Sequence, residues 1–169
     1  LHIMGSFIVS SIRRRNLLRQ LERMSYRDQL TQFGNRYAVD WFVEHEWNGE
    51  QIGVVYCDIT GLKKVNDEQG HEAGDRLIIR ACECLAGVFK GYGLYRIGGD
   101  EFLVLCLGIE EKDLREHVEK LRMDMKEHQV TMAVGMIWKE HGPKDIDLLL
   151  NESERLMYED KDRYYKEHG

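Results

Sequence analysis

Two glycines followed by two acidic residues stand in the middle of this chain, with an apolar segment of strand length on either side. Gly98 and Gly99 predict a hairpin turn, because glycine reaches positive φ without steric cost. Asp100 and Glu101 then lie at the root of an apolar strand, where two anions lose hydration and repel each other. A bound cation would offset both effects. Alternatively, Asp100 only stabilises the turn and Glu101 faces water.

A further carboxylate, Asp58, ends the apolar run 52–57. Asp58 and Asp100 together suit Mg²⁺, which binds one or two carboxylates along with waters and substrate phosphates. The loop 58–63 that follows can cradle phosphate oxygens with its backbone N–H groups, and Lys63 adds positive charge. The alternatives are that Asp58 caps its strand or forms a salt bridge, and that the loop is an ordinary connection.

Asn66 and Asp75 lie on either side of a predicted helix break and could face one pocket. A carboxylate that accepts two hydrogen bonds matches guanine, whose N1–H and N2–H donors are adjacent, whereas adenine offers no such pair. Taken singly, either residue is as well explained as a helix cap. His71 lies between them and is the one histidine that we do not assign to the surface or to a purely structural role.

The elements that must position these residues follow the order strand, helix, strand, strand, helix, strand from residue 52 to residue 138. This order predicts an α+β, ferredoxin-like β-α-β-β-α-β palm: a central antiparallel sheet with its flanking helices on one face. In this topology the end of the first strand lies beside the hairpin, so Asp58 and Asp100 can meet. A helix capped by Asn35 precedes the sheet, a long helix is predicted from about Gly74, and another closes the chain.

Length and composition limit the possible partners. The 169 residues, 43% of them hydrophobic, support one main domain, and a net charge of −6 argues against nucleic acid as a partner. The four cysteines have neither zinc-ligand spacing nor a histidine pair nearby.

We predict a linker or signalling helix at 1–26, whose first residues are either native or left over from cloning, and the functional domain at 27–169. The apolar residues 7–9 and the basic run 13–15 could be the cytoplasmic end of a membrane helix. The expected location is cytoplasmic, with tethering to the inner membrane through a missing N-terminal region as the alternative.

Residues 98–102 read Gly-Gly-Asp-Glu-Phe, the signature that names the GGDEF domain family of bacterial diguanylate cyclases. Residues 28–36, with Asp-x-Leu-Thr and Asn-Arg, resemble the family's entry motif. Residues 58–75, with Asp-Ile, Lys, Asn-Asp, Gly-His and Gly-Asp in order, are similar to its substrate loop. The resemblance runs from residue 28 through nearly all of the remaining chain.

The resemblance implies that two GTP molecules are condensed into cyclic di-GMP with release of two pyrophosphates. Asp58, the carbonyl of Ile59 and Asp100 would hold Mg²⁺, or Mn²⁺ in its place. Asp100, with Glu101, would assist deprotonation of the attacking 3′-hydroxyl, and Lys63 would stabilise charge on the triphosphate.

The remaining site residues also come from the resemblance. Asn66 and Asp75 would read guanine with His71 nearby, Gly98 and Gly99 would adjoin the substrate, and Lys161 would bind phosphate. Because the product has two linkages related by a two-fold axis, two copies must face each other in a homodimer. An upstream sensory domain is the expected partner in the full-length protein.

The chain departs from the family pattern at several positions. Phe89 and Tyr92 replace the arginine and aspartate of the common product-inhibition site, so we expect no feedback through it. Asp160 replaces a usual alanine, and Tyr165 stands where an arginine often holds phosphate, although Arg163 could compensate. The alternative function is therefore a catalytically weak GTP-binding sensor or protein-interaction module. A cyclase acting on another nucleotide is disfavoured by Asp75.

Overall fold

The computed structural model describes residues 12–14, 17, 21 and 25–168. Those described within the predicted N-terminal helix, 12–14, 17 and 21, are helical, and the rest of that helix up to residue 24 lies outside the described residues. No helix in the described ranges is both long and apolar enough to cross a membrane. The elements from residue 36 onward are α1 (Arg36–His45), β1 (Ile52–Ile59), α2 (Leu62–Gln69), α3 (His71–Val88), β2 (Gly93–Arg96), β3 (Glu101–Leu107), α4 (Glu111–Glu127), β4 (Met132–Lys139) and α5 (Asp147–His168).

The four strands form one antiparallel sheet in the order β2-β3-β1-β4. This is the strand order of the β-α-β-β-α-β plan, and the predicted α+β fold is confirmed. β1 pairs with β3 on one side and β4 on the other, and its register places Asp58 directly opposite Glu101. Because paired residues in antiparallel strands point to the same face, these two acidic residues share one face of the sheet.

Helices cover both faces of the sheet, and the prediction of helices on one face was wrong. α2, α3 and α4 pack on the face that carries Val55 and Cys57, whereas α1 and α5 pack on the face that carries Val54 and Tyr56. All eight positions of β1 are buried. A strand without a polar side needs cover above and below, which is why its apolar run does not alternate.

α5 packs unusually close to β4 because Gly135 has no side chain there. A Cβ built on Gly135 would lie 2.0 Å from the carbonyl oxygen of Ser153, which is fully buried in α5. Two turns further on, Asp160 Oδ2 accepts the backbone N–H of Val134 at 2.8 Å. This bond satisfies a donor of an edge strand that would otherwise be unpaired, and it fixes α5 along the sheet.

Two helix starts near the site have clear local causes. Asn35 accepts a hydrogen bond from the Ala38 N–H at 3.1 Å, so the predicted cap of α1 is confirmed. α3 starts at His71 rather than near Gly74 as predicted. Gly70 separates it from α2 with a φ of 85°, a left-handed conformation that glycine adopts without strain.

Candidate active site

The hairpin between β2 and β3 lies against the end of β1. The Ile59 N–H donates to the Asp100 carbonyl at 2.9 Å, and the Ile97 N–H closes the turn on the Glu101 carbonyl at 3.0 Å. Asp58 and Asp100 are therefore close enough for the charge of Asp100 to raise the pKa of Asp58. The two acidic residues that the sequence places 42 positions apart meet at one edge of the sheet.

Neither Gly98 nor Gly99 adopts the left-handed φ that the sequence led us to expect. At Gly98 the reason for glycine is space, since a Cβ there would lie 2.5 Å from Glu101 Oε2. The Glu101 side chain thus folds over the turn. No atom of the described residues lies within 4 Å of a Cβ built on Gly99.

The Lys161 ammonium donates a hydrogen bond to Asp58 Oδ1 at 2.8 Å. Asp58 is only 4% exposed. Burial raises the pKa of Asp58, the bond from Lys161 opposes this, and the neighbouring Asp100 adds to the rise. Burial works against the charged form of Lys161, but the bond and the charge of Asp58 raise the pKa of that ammonium. The site therefore holds one lysine cation against two carboxylates.

A cavity of about 720 Å³ opens beside these groups, between the β1–α2 loop, the hairpin and the end of α5. Its charged lining consists of three lysines and three acidic residues: Lys63, Lys64, Lys161, Asp67, Glu68 and Asp100. The other lining residues are Ile59, Thr60, Gly61, Leu62, Thr131, Tyr164, Tyr165 and His168. The cavity has the size of a ligand site, and its lysines suit phosphate groups.

The donors at this edge fit a hard divalent cation. Asp58 and Asp100 supply carboxylates close to each other, and Ile59 lines the cavity together with Asp100. The hydroxyl of Thr60 is buried and has no hydrogen-bond partner within the described part of the chain. A buried unpaired hydroxyl beside two carboxylates is consistent with an ion or its water at this position. No cluster of three or more histidine, cysteine or acidic side chains was found among the described residues, so an ion here would depend on backbone, water or phosphate oxygens as well.

Glu101 is not among the residues that line this cavity. Its Oε1 accepts the Tyr56 hydroxyl at 3.3 Å, and the same hydroxyl lies 3.4 Å from Glu154 Oε1 on α5. Burial and the neighbouring charges of Asp100 and Asp58 raise the pKa of Glu101. Burial and the two glutamates raise the pKa of Tyr56, so the phenol stays protonated and acts as a donor. The sequence analysis did not anticipate this cluster.

The predicted guanine readers lie where α2 meets α3. Asn66 packs against Gly74, and a Cβ built on Gly74 would lie 1.8 Å from Asn66 Oδ1. Asp75 follows Gly74 and is exposed beside a second cavity of about 530 Å³. His71 is the exposed first residue of α3. Asn66 and Asp75 are thus neighbours, but Asn66 is not among the residues that line the second cavity with Asp75.

The altered positions in α5 have separate surroundings. Asp160 points toward the sheet, where it binds Val134 and lies 3.2 Å from the Arg122 guanidinium. Tyr165 does line the cavity, in the place expected for an arginine. Arg163 lies 3.9 Å from Asp160 and is absent from the cavity lining, so it does not replace that arginine in this structure.

Arg96 forms a second set of contacts that we did not predict from the sequence. Its guanidinium donates to the Gly99 carbonyl at 2.8 Å and to the carboxylate of Asp28 at 3.2 Å. Asp28 also accepts hydrogen bonds from the backbone and side chain of Thr31. The Asp-x-Leu-Thr segment is therefore joined through one arginine to the hairpin between β2 and β3. The signal in the sequence was a cation immediately before the turn together with an acidic residue in the entry motif.

Comparison with known proteins places the chain in a family. Residues 25–166 match the family model described as "Diguanylate cyclase, GGDEF domain", and the chain belongs to the GGDEF domain family. The bifunctional diguanylate cyclase/cyclic di-GMP phosphodiesterase MucR of Pseudomonas aeruginosa is 29% identical to it, over 94% of this chain and 25% of MucR. The cyclic di-GMP phosphodiesterase PdeR of Escherichia coli is 30% identical, over 85% of this chain and 23% of PdeR. The chain thus spans about a quarter of each of these relatives.

A solved structure supports the same fold. The coiled coil and GGDEF domain of DgcB from Caulobacter crescentus, in complex with c-di-GMP, superimposes with a TM-score of 0.73 at 21% identity. The match covers 94% of this chain and 92% of that structure. The likeness extends over both sheet and flanking helices, and at this identity it concerns the fold.

Proposed function

We propose that this chain is an active diguanylate cyclase domain that condenses two GTP molecules into cyclic di-GMP. The observation that carries the proposal is that Asp100, Lys161 and Lys63 line one cavity, and that Lys161 donates a hydrogen bond to the buried Asp58 beside it. Two carboxylates with two lysines form the charge pattern that a metal-bound nucleoside triphosphate requires.

Each lysine has a distinct place at the triphosphate. Lys63 stands in the first turn of α2, where the backbone N–H groups of the helix end add to its charge. Lys161 reaches the cavity from α5 and can turn from Asp58 to a phosphate oxygen, since its side chain is a quarter exposed. Both cations stabilise the negative charge that develops as pyrophosphate leaves.

In the proposed reaction the 3′-oxygen of one GTP bonds to the α-phosphorus of the other, and the bond from that phosphorus to the pyrophosphate oxygen breaks. The proton of the 3′-hydroxyl passes to a carboxylate oxygen of Asp100, which lies at the turn and lines the cavity. Asp58, Asp100 and the Ile59 carbonyl would hold Mg²⁺, or Mn²⁺ in its place, which when bound neutralises triphosphate charge.

The product requires two active sites that face each other. One domain holds one GTP, and each hydroxyl must meet the α-phosphorus held by the other domain, so the active species is a two-fold homodimer. We expect the specific activity to rise with protein concentration until the dimer is fully formed. An upstream sensory domain in the longer protein would control that step.

The test is incubation of the protein with GTP and Mg²⁺ at several protein concentrations, with separation of the nucleotides by chromatography. Cyclic di-GMP should form with wild type and be absent with Asp100→Ala. Asp162→Ala, which removes an exposed carboxylate of α5 that does not line the cavity, is the matched control and should retain most activity. A wild type that gives no product at concentrations where it is dimeric would exclude the proposal.

The second candidate is a GTP-binding sensor without turnover. Tyr165 in place of an arginine at the cavity supports it, because a phenol holds phosphate less strongly than a guanidinium does. The relative PdeR is named a phosphodiesterase, so not every similar protein carries a cyclase name. Binding of GTP by calorimetry without product formation would favour this candidate.

We also propose that product does not inhibit through the position of the common inhibitory site. Phe89 there is fully buried, and its ring lies 5.6 Å from the ring of His117. Tyr92 packs on the same histidine at 6.1 Å. Neither ring offers the charged pair that would grip a guanine base and a phosphate. Initial rates should stay constant when cyclic di-GMP is added in the micromolar range.

A further inference from the structure

Tyr56 sits two residues before Asp58 on β1, and both point to the face covered by α5. Its ring is buried, with 6% of the residue exposed, and its hydroxyl is the only polar atom of the side chain. That hydroxyl is shared between Glu101 Oε1 at 3.3 Å and Glu154 Oε1 at 3.4 Å. A buried phenol with two carboxylate acceptors is a connection between strands and helix, not a packing residue alone.

The Glu101 carboxylate lies between Tyr56 and the turn. One of its oxygens accepts the Tyr56 hydroxyl, and the other lies over Gly98, where a Cβ would come within 2.5 Å of it. The carboxylate thus spans the space between β1 and the turn. Asp100 directly precedes Glu101, so a fixed Glu101 side chain also restrains the backbone of Asp100. The Asp100 carbonyl accepts the Ile59 N–H.

α5 contacts β1 through two successive side-chain pairs. Glu154 and Lys161 are seven residues apart, which is two helical turns, so they lie on the same side of α5. Glu154 meets Tyr56, and Lys161 meets Asp58. The helix that carries Lys161 is therefore also connected, through the Tyr56 hydroxyl, to the hairpin that carries Asp100.

We propose that Tyr56 is a positioning residue of the cyclase reaction: its hydroxyl fixes Glu101 at the base of the hairpin and connects it to Glu154 on α5. The inference rests on the proposed function. Tyr56 does not touch the nucleotide cavity, so it acts through the placement of Asp100 and not through GTP binding. Glu154 acts only through Tyr56.

The test compares kcat and KM for GTP in three single variants and one double variant. Tyr56→Phe keeps the buried ring and should lower kcat by about ten-fold, the value of one hydrogen bond to a charged group, with KM within two-fold. Glu154→Ala should lower kcat several-fold, whereas Glu154→Gln, which retains an oxygen acceptor, should stay near wild type. Tyr56→Phe combined with Glu154→Ala should be no worse than Tyr56→Phe alone.

Tyr95→Phe is the matched control, because it removes a hydroxyl from the same face of the sheet outside the site. It should leave kcat unchanged. Wild-type kcat in Tyr56→Phe, or a double variant whose loss is the product of the two single losses, would overturn the inference while the proposed function stands.

Inactive wild-type protein would instead exclude the proposed function. In that case, chemical unfolding of Tyr56→Phe, Glu101→Ala and their double variant tests the hydrogen bond between Tyr56 and Glu101. Non-additive losses of stability support Tyr56 as the residue that holds Glu101, and additive losses overturn that.

Discussion

The ammonium of Lys161 and the carboxylate of Asp58 lie 2.8 Å apart, although 103 residues separate them in the chain. Asp58 is almost fully buried, so its charge depends on that ammonium in the absence of another cation. Since Asp58 is also a proposed Mg²⁺ ligand, the same lysine has two tasks. It compensates Asp58 when no ion is bound, and it is free for phosphate once an ion takes over.

Lys161→Met should destabilise the metal-free protein. Removing one partner leaves a buried carboxylate uncompensated, and because Lys161 is partly exposed we expect about 2 kcal/mol, below the range for fully buried pairs. For a chain of this size that equals roughly 4–8 °C in Tm, measured by thermal unfolding in EDTA. Lys166→Met removes an exposed lysine from the same helix and should have little effect. Equal melting of both variants would contradict the role of the pair.

Mg²⁺ should restore more stability to Lys161→Met than it adds to wild type. The ion supplies the positive charge that the variant lacks, whereas in wild type it must first displace the lysine. Titration of MgCl₂ during thermal unfolding measures the difference, and EDTA should reverse it. A Tm rise that is the same in both proteins would show that the ion does not bind beside Asp58.

Gly74→Ala should weaken GTP binding with little loss of fold stability. A Cβ at this position would meet Asn66 Oδ1 at 1.8 Å, and the flexible end of Asn66 can move away, which displaces a proposed guanine reader. We expect a several-fold rise in KM for GTP and a smaller change in kcat. Gly87→Ala is the matched control in the same helix, since within the part of the chain that the structure describes no atom lies within 4 Å of a Cβ there. If both variants had the wild-type KM, the assignment of Asn66 would lose its support.

Asp28→Asn should reduce stability in a pH-dependent way. Burial opposes the charged form, but hydrogen bonds from Thr31 and the charge of Arg96 hold the pKa of Asp28 below its ordinary value of 3.8. A lowered folded-state pKa adds stability that is present above the unfolded value and lost as the pH falls through the folded one. The difference in unfolding free energy between wild type and Asp28→Asn should be constant above about pH 5 and shrink below about pH 4.

Urea unfolding at a series of pH values measures that difference, and comparison of the two proteins cancels the other acidic groups. A gap that widens toward low pH would mean that the Arg96 contact does not stabilise the charged carboxylate.

The four cysteines should be inert toward thiol reagents in the folded protein. Burial raises the pKa of Cys57, Cys82 and Cys106 to about 12 and that of Cys84 to about 11, so the reactive thiolate is scarce at neutral pH. Ellman's reagent should react slowly under native conditions and with all four thiols in guanidinium chloride. Fast reaction of even one native thiol would show that the core opens locally.

Much of the fold was predictable because local patterns carry it. The apolar runs predicted the strands, Asn35 marked the start of α1, and the succession of strands and helices along the chain predicted the order of the sheet. The prediction of helices on one face was wrong because an apolar run such as β1 indicates that the strand is buried. It does not indicate whether helices cover one face of the sheet or both. The prediction of a left-handed φ at Gly98 was wrong because glycine is required there by the space that the Glu101 side chain occupies and not by the backbone conformation.

The residues that can do chemistry, and the topology in which Asp58 and Asp100 meet, were predictable because both follow from residue type, spacing and strand order. The pairing of Lys161 with Asp58, and the link from Glu101 through Tyr56 to Glu154, became visible in the folded molecule. These contacts depend on the height and rotation of α5 over the sheet. The close approach of Ser153 to Gly135 sets the height and the rotation of α5. No periodic pattern in the sequence around either residue indicates that the two are in contact.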